Sequence, residues 1–567
     1  MQIVEKENIN IIANAVSKQI CSLFGNHTVE SAKARDAVTM LLDHNPAYSF
    51  TTHVGNRSLF HEDSNLEELH EILATLNERE SRRKKDGVFY TLPDVTDFIT
   101  ANTLIKYIRP SLGGIIPADK TSALINMIDE SDRVRLTKAT IFDPTCGSGE
   151  FLNTALQYKL RFISKEYSED DILMIAETVF GNDIAKESVH ISRIRLFFTL
   201  LPYLNNPELF TKLAEILRNN FTTEDFINAE DAVFKKYDII IGNPPYIEYR
   251  NLDFEPKEKL GNTYANVLSN ASRMLTPSGV LGFIVPISFV ATKRMYPIRK
   301  LIDDNFENIC LLNYADRPDC LFSGVHQKLT IIIASKISNT KGYYSSSYNY
   351  WYKNERGDLF KRDNLIQVTP ELPLYIPKIG NETERNIFNK CTINPTDITE
   401  KSLNDYCQGA SQLSENCVYL NMRNCFWIKA FSFNPGSSEY KRLSSSAENI
   451  DFIRCLLNSS LFFFFWIAVS DCWHITSKEL GLFRIPISEH DSIIFTTLFK
   501  ELEDRLELTK IYVGTKQTEY EYKHKYCKDI IDRIDDAIAP YYNLSHSETE
   551  YLKNFILKYR LSDGAKI

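Results

Sequence analysis

Positive charge is the first thing this 567-residue sequence is short of. Its 65 Lys and Arg stand against 74 Asp and Glu, for a net charge of −9. That excludes a surface coated in positive charge. It does not exclude a polyanion partner, because the local field of one basic cleft, not the total charge, does the steering. A long apolar run is also missing. The most apolar stretch, Leu461 to Val469, is well short of the ~20 residues that span a bilayer; it reads as a buried helix, and no membrane partner is expected. The 11 cysteines show no CxxC spacing, and no signal-peptide pattern precedes them. Reduced thiols in the cytoplasm are therefore expected, and no metal site. Tryptophan is scarce, with four residues. What remains is an ordinary globular composition, 43% hydrophobic and 25% charged, on a chain too long for one core, so two or three domains are expected.

The most informative segment is Asp238 to Tyr249, which contains Asn243-Pro244-Pro245-Tyr246 at the end of an apolar run. Few chemistries need an amide, a constrained backbone carbonyl and an aromatic face held together at a strand end. Methyl transfer to a planar exocyclic amine is one. The lone pair of such a nitrogen is conjugated with its ring and is a poor nucleophile. Two acceptors for its hydrogens, Asn243 Oδ1 and the Pro244 carbonyl, would draw it towards tetrahedral geometry. Proline fixes φ and keeps the acceptors aimed, and Tyr246 offers a stacking surface. A proline-terminated buried strand with a tight turn would use the same residues, so this segment does not decide alone.

Upstream, Ala139 to Leu152 reads as a short apolar run, a turn with Gly147 and Gly149, and an amphipathic stretch through Leu160, as expected of strand, loop and helix. The glycines remove side chains where a ligand must approach closely. Cys146, inside this loop, reads as a small packing residue. Val179 to Asp183 is an apolar strand ending in a carboxylate, the position that commonly binds ribose hydroxyls. Asp225 is placed to accept from an adenine amino group, with Phe226 against the ring. Strand-like runs continue at 237–241, 280–285, 309–312 and 329–334, alternating with helical runs at 264–275 and 289–302. That alternation implies an α/β fold with a doubly wound, mostly parallel sheet. Ligands of such sheets bind beyond the carboxyl ends of the strands, where Asp143, Asp183, Asp225 and Asn243 all fall.

On these motifs the chain resembles the amino-methylating DNA methyltransferases that make N6-methyladenine, in the TaqI-like order. There an N-terminal cofactor motif precedes the Gly-rich loop, the catalytic tetrapeptide follows, and target recognition comes last. The N-terminal motif is Gly87-Val88-Phe89-Tyr90-Thr91-Leu92-Pro93, with Leu92 departing from the family's usual Thr-Pro-Pro wording. The resemblance implies S-adenosylmethionine held by Thr91, the loop of Asp143, Pro144, Cys146, Gly147 and Gly149, then Asp183, Asp225 and Phe226. It implies catalysis by Asn243, Pro244, Pro245 and Tyr246, and a second stacking aromatic at Phe322, ahead of the Ser323-Gly324-Val325 turn. It also implies double-stranded DNA as partner, with the target adenine flipped out, nucleoid association in a prokaryote, and room for a separately encoded restriction endonuclease.

The division expected is a helical region over 1–80, a Rossmann-like methyltransferase domain over 81–365 and an α+β recognition domain over 366–567. In the first, Leu66, Leu69, Ile72, Leu73 and Leu76 form one apolar stripe that packs on the catalytic core. The run Arg79 to Lys85 is either a solvated helix end or a phosphate contact. Trp351, Trp427, Trp466 and Trp473, with the segments 458–460 and 470–476, suit either a core or loops that read base edges. Helices are expected at 530–538 and 549–556. Protein-glutamine and RNA methyltransferases share the tetrapeptide, but both usually lack so large a region after the sheet. A catalytically silent DNA-binding subunit is the reading from another class.

Overall fold

The computed structural model describes residues 2–48, 50, 66–76, 91–121, 128–163, 166–228, 235–322, 324–362, 365–393, 400–409, 416–445, 450–486, 492–515 and 518–562. The cationic run at 79–85, residues 87–90 of the N-terminal motif and Ser323 lie outside the described residues.

Helices α1 (Gln2–Phe24), α2 (Val29–Leu41), α3 (Leu66–Leu76) and α4 (Pro93–Ile108) lead into the sheet. The chain then runs β1 (Ile141–Asp143), α5 (Glu150–Phe162), β2 (Val179–Asn182), α6 (Lys186–Leu200), α7 (Glu208–Asn220), β3 (Phe221–Thr222) and β4 (Tyr237–Gly242). It continues as α8 (Thr263–Met274), β5 (Leu275–Pro286), α9 (Tyr296–Asn305), β6 (Asn308–Tyr314), β7 (Leu329–Ser335), β8 (Gly342–Asn349) and β9 (Leu365–Val368). Nine strands make one sheet in the order β3-β2-β1-β4-β5-β7-β6-β8-β9. From β3 across to β5 every pairing is parallel, and β7 lies antiparallel between β5 and β6. The fold is thus α/β with a large, mostly parallel sheet. Ile239 to Ile241 and Ile331 to Ile333 are wholly buried, as continuous apolar strands covered on both faces must be. Because β1 to β4 run the same way side by side, their carboxyl ends share one edge.

One helical expectation is corrected. The run 289–302 is not continuous: Ser288–Ala291 forms a short helix, Thr292 is extended, and α9 begins at Tyr296 with Pro297 in its first turn. Proline inside a continuous helix would delete a backbone hydrogen bond, whereas in a first turn it deletes none. Arg299 turns back and donates to the Phe289 and Thr292 carbonyls, satisfying the broken end.

The stripe of α3 buries Leu69 and Leu73, and α3 packs on α6 while α2 packs on α7. His70 bonds Thr199 and Arg195 of α6. After α2, Asp43 meets Lys186, His190, Arg193 and Arg218 at 3.1–3.2 Å. Burial would raise this carboxyl, but those partners outweigh it and hold it well below the usual carboxylate range.

Beyond β9, strands β10 (Cys407–Gly409), β11 (Cys417–Asn421), β12 (Ala430–Phe431) and β13 (Tyr440–Ser445) form an antiparallel sheet, ordered β10-β13-β11-β12. Helices α10 (Ile450–Asn458), α11 (Ser460–Val469), α12 (Ser492–Thr509) and α13 (Lys528–Ile538) pack beside it. Every residue of α11 is buried, and among the described residues no single helix is long and apolar enough to cross a membrane. Trp351 and Trp466 are fully buried, Trp427 is 9% exposed, and Trp473 is half-buried. The last segment returns to the central sheet: Tyr559 stacks on Tyr350, and Tyr352 donates to the Lys558 carbonyl.

Candidate active site

The four positions named from sequence converge on the shared strand edge. Asp143 ends β1, Asp183 follows β2, Asp225 lies three residues past β3, and Asn243 follows β4. Asp143 is 1% exposed. Burial pushes its carboxyl well above the usual carboxylate range; the Thr145 N–H it accepts from pulls it down, and nearby Asp183 pushes it further up. Asp183 accepts from the Gly147 N–H at 2.9 Å and the Ala185 N–H at 2.8 Å. These two bonds orient the Asp183 carboxylate.

The two loop glycines answer different needs. Gly147 takes φ +53°, and nothing stands within 4 Å of where a Cβ would be. Its side faces open space, as a ligand ledge requires. Gly149 takes φ +82°, and a Cβ there would stand 2.9 Å from Ser192 Oγ on α6, so helix packing demands that glycine. Cys146 is buried, its Sγ 3.6 Å from Ser192 Oγ. Burial pushes its thiol well above the usual range, which fits a packing role. Phe226 is 8% exposed and rests against Phe142. Asp225 accepts from Ile227 N and Asn228 Nδ2, bonds that hold its loop.

At the tetrapeptide, Asn243 Nδ2 donates to Thr91 Oγ1 at 3.1 Å. Thr91, expected to touch a cofactor, thus also fixes the rotation of the key amide. The Tyr246 hydroxyl, with one proton to give, sits 2.5 Å from Asn243 Oδ1 and 2.9 Å from the Ile284 carbonyl. Burial holds that hydroxyl neutral, well above the usual tyrosine range. The Tyr246 ring lies 6.5 Å from the Phe322 ring at 28° between planes, and edge-on to Tyr264 at 6.3 Å. Among the described residues no hydrogen bond reaches the Pro244 carbonyl. Phe322 lies in the 315–328 loop between β6 and β7. Arg356 anchors that loop, donating to the Cys320 and Leu321 carbonyls and pairing with Asp94 in the first turn of α4.

Sequence reading missed the residues that hold these loops. The Asn182 side chain donates to the Pro144 and Glu224 carbonyls and accepts from Glu224 N and Thr222 Oγ1. It ties the loops after β1 and β3 together. Thr263 Oγ1 donates to the Pro245 carbonyl at 2.6 Å and accepts from Ile247 N at 2.9 Å, clamping the tetrapeptide from α8. A polar residue closing the apolar run 179–182 was the available signal for Asn182. For Thr263 the sequence carried none.

Residues 177–318, which carry β2 to β6 and the tetrapeptide, match the family model described as Eco57I restriction-modification methylase. The chain is similar to the type II methyltransferase M.VspI of Vibrio sp. (strain 343), 24% identical over 261 residues, covering 44% of this chain and 50% of that protein. It is 34% identical over 234 residues to the type II methyltransferase M.HincII of Haemophilus influenzae, covering 37% of this chain and 41% of that one. The chain thus spans about half the length of these curated relatives. Among solved structures, the type IIL restriction-modification enzyme MmeI in complex with DNA shares the fold, with a TM-score of 0.52 at 12% identity over 98% of this chain and 99% of that one. The likeness is to restriction-modification methyltransferases, at low identity, and its family segment carries Asp183, Asp225 and Asn243 of the shared strand edge.

Proposed function

We propose that this protein is an S-adenosylmethionine-dependent DNA methyltransferase. It methylates the N6 amine of an adenine flipped out of duplex DNA, as the modification activity of a restriction-modification system. The observation that carries the reading is the grouping at the end of β4: an amide oriented by Thr91, a proline carbonyl that no described residue hydrogen-bonds, and two near-parallel rings 6.5 Å apart. That spacing is close to twice the ~3.4 Å separation of stacked bases, which suits a base held between Tyr246 and Phe322.

The residues fit the cofactor. Gly147 leaves an open ledge beside the oriented carboxylate of Asp183, with Asp225 and Phe226 one strand further along, and Thr91 is hydrogen-bonded to Asn243. Bound S-adenosylmethionine supplies an electrophilic methyl group. The protein supplies placement. A base cannot reach that methyl from within a duplex, so it leaves the stack at a cost of a few kcal/mol. Asn243 Oδ1 and the Pro244 carbonyl accept the two amine hydrogens, and the nitrogen lone pair turns towards the methyl. For this the base must displace the Tyr246 hydroxyl from Asn243 Oδ1, where it sits at 2.5 Å. Preorganised acceptors and orientation account for rate enhancement of this kind.

The test is transfer of labelled methyl from S-adenosylmethionine to duplex DNA, with N6-methyladenine identified in the digest. Transfer to RNA or to protein glutamine instead would overturn the substrate and leave the amine chemistry standing. DNA binding without transfer to any acceptor would favour a silent subunit.

A further inference from the structure

Among the described residues, a second recess lies away from the strand edge, between the 315–328 loop and the small antiparallel sheet. It encloses about 410 Å³, the size class of small-ligand sites. Its lining carries six Lys and Arg against two acids, in a protein whose net charge is −9. Both acids face cations of the recess: Glu439 stands 3.8 Å from Arg423, and Glu521 pairs with Lys523 at 2.9 Å. Arg317 and Lys429 are left without an ion pair among the described residues. Burial depresses the Lys429 ammonium, and Glu521 offsets that effect only in part, so an incoming anion would relieve a cost the fold already bears.

Two features make the recess more than a basic patch. Its walls are aromatic: Arg560 lies 3.8 Å over Trp427, and Lys328 lies 4.8 Å from the centre of Trp473. One lining residue also carries a polar atom without a partner. Asn424 is 4% exposed, its Nδ2 donates to the Asn421 carbonyl at 2.7 Å, and its backbone N–H is held by the Trp473 carbonyl. Its Oδ1 is buried with no hydrogen-bond partner. An orphaned buried acceptor costs free energy unless a donor arrives, and an exocyclic amino group on a base edge is such a donor.

We propose that this recess seats one nucleotide of the DNA strand, its phosphate on Arg317 and Lys429 and the amino edge of its base on Asn424 Oδ1. The site rests on the DNA reading above and specifies where that DNA is held. It also has a physical link to the chemistry. Arg317 at the recess and Phe322 at the catalytic rings share one loop, closed at its base by the Asp316–Lys328 pair at 3.2 Å and by His326 donating to the Asp316 carbonyl.

The test uses the full chain and fluorescence anisotropy with a mixed-sequence duplex, titrated over salt. Arg317→Gln with Lys429→Gln should weaken binding and lower the slope of log affinity against log salt by about 1 per residue. Because Lys429 is half-buried, Arg317→Gln alone, at an exposed position, serves as the variant least able to disturb folding and should lower the slope by about 1. Asn424→Leu should leave the slope unchanged and reduce preference for the methylated site over single-base variants by about five- to a hundredfold. Unchanged slopes in variants that melt like wild type would overturn the phosphate site. Unchanged site preference in Asn424→Leu would overturn the base contact. A free nucleoside monophosphate competing as well as duplex would overturn a DNA strand as the occupant. Anisotropy needs no turnover, so a wild type that binds through the recess yet transfers no methyl would sink the proposed activity alone.

Discussion

Replacing Asn243 by Ala tests the central grouping with the least collateral change. The side chain is half-buried and makes its contacts to Thr91 and Tyr246 at 3.1 and 2.5 Å. Tyr246 keeps the Ile284 carbonyl, whereas the buried Thr91 hydroxyl loses its partner among the described residues. The cost in stability should be that of one stranded buried hydroxyl, about 1–3 kcal/mol. The cost in chemistry is of another kind. Losing one preorganised acceptor in a water-poor site removes ~10²–10³ of the rate, or ~2.7–4 kcal/mol. The two effects therefore separate. The assay is single-turnover transfer of labelled methyl at saturating DNA and cofactor, with cofactor affinity by calorimetry and melting temperature alongside. The expected result is a collapsed rate with both ligands still bound. A rate within about tenfold of wild type, less than 1.4 kcal/mol, in a folded variant would refute the amide's role.

Tyr246→Phe keeps the ring and removes the hydroxyl that competes for Asn243 Oδ1, so its rate should stay close to wild type. Tyr246→Ala should weaken binding of duplex carrying a mismatched target adenine, read by anisotropy, and equal losses in the two variants would refute the stacking role. Asp183→Ala should weaken S-adenosylmethionine by roughly ten- to over a hundredfold, from ~1.5–3 kcal/mol of lost charge-assisted hydrogen bonds; calorimetry showing unchanged affinity would remove the assignment. Asp43→Asn should destabilise the protein by about 1–2 kcal/mol at neutral pH, discounted for partial exposure. The Asp43 carboxyl is held below its unfolded value, so its contribution is present above that value and lost as pH falls. The melting difference between variant and wild type should therefore shrink below about pH 4, and a constant difference down to pH 2 would refute the clamp.

The parts of this fold that sequence made legible are those whose information is contiguous. Asn243 to Tyr246 carries amide, carbonyl and ring in four adjacent residues. The apolar runs of β4, β5, β6 and β7 are buried on both faces and need no partner to be recognised. The helix break at Thr292 was hidden because the apolar spacing continues across it, while Pro297 and Arg299 set the boundary. Asn182 and Thr263 were hidden because their roles lie in what they bond: for Asn182, loops brought to it by parallel pairing, and for Thr263, the turn of the loop that leads from β4 back to α8. The strands of 407–445 are short and carry little alternation. Thr91 was legible through resemblance alone, and its hold on Asn243 spans 152 positions.

The 315–328 loop has a consequence for how such proteins change their targets. It is tied to the catalytic side through Arg356 and Asp94, and to the far side through Lys328 resting on Trp473. The parts that would read DNA and the part that would perform the proposed chemistry are therefore not separable cassettes. A graft of the C-terminal region from another chain would inherit a new surface for Lys328 and with it a new resting position for Phe322. Transplanted specificity would then arrive with an altered rate, and regaining speed would call for compensating changes inside this loop, not at the grafted surface.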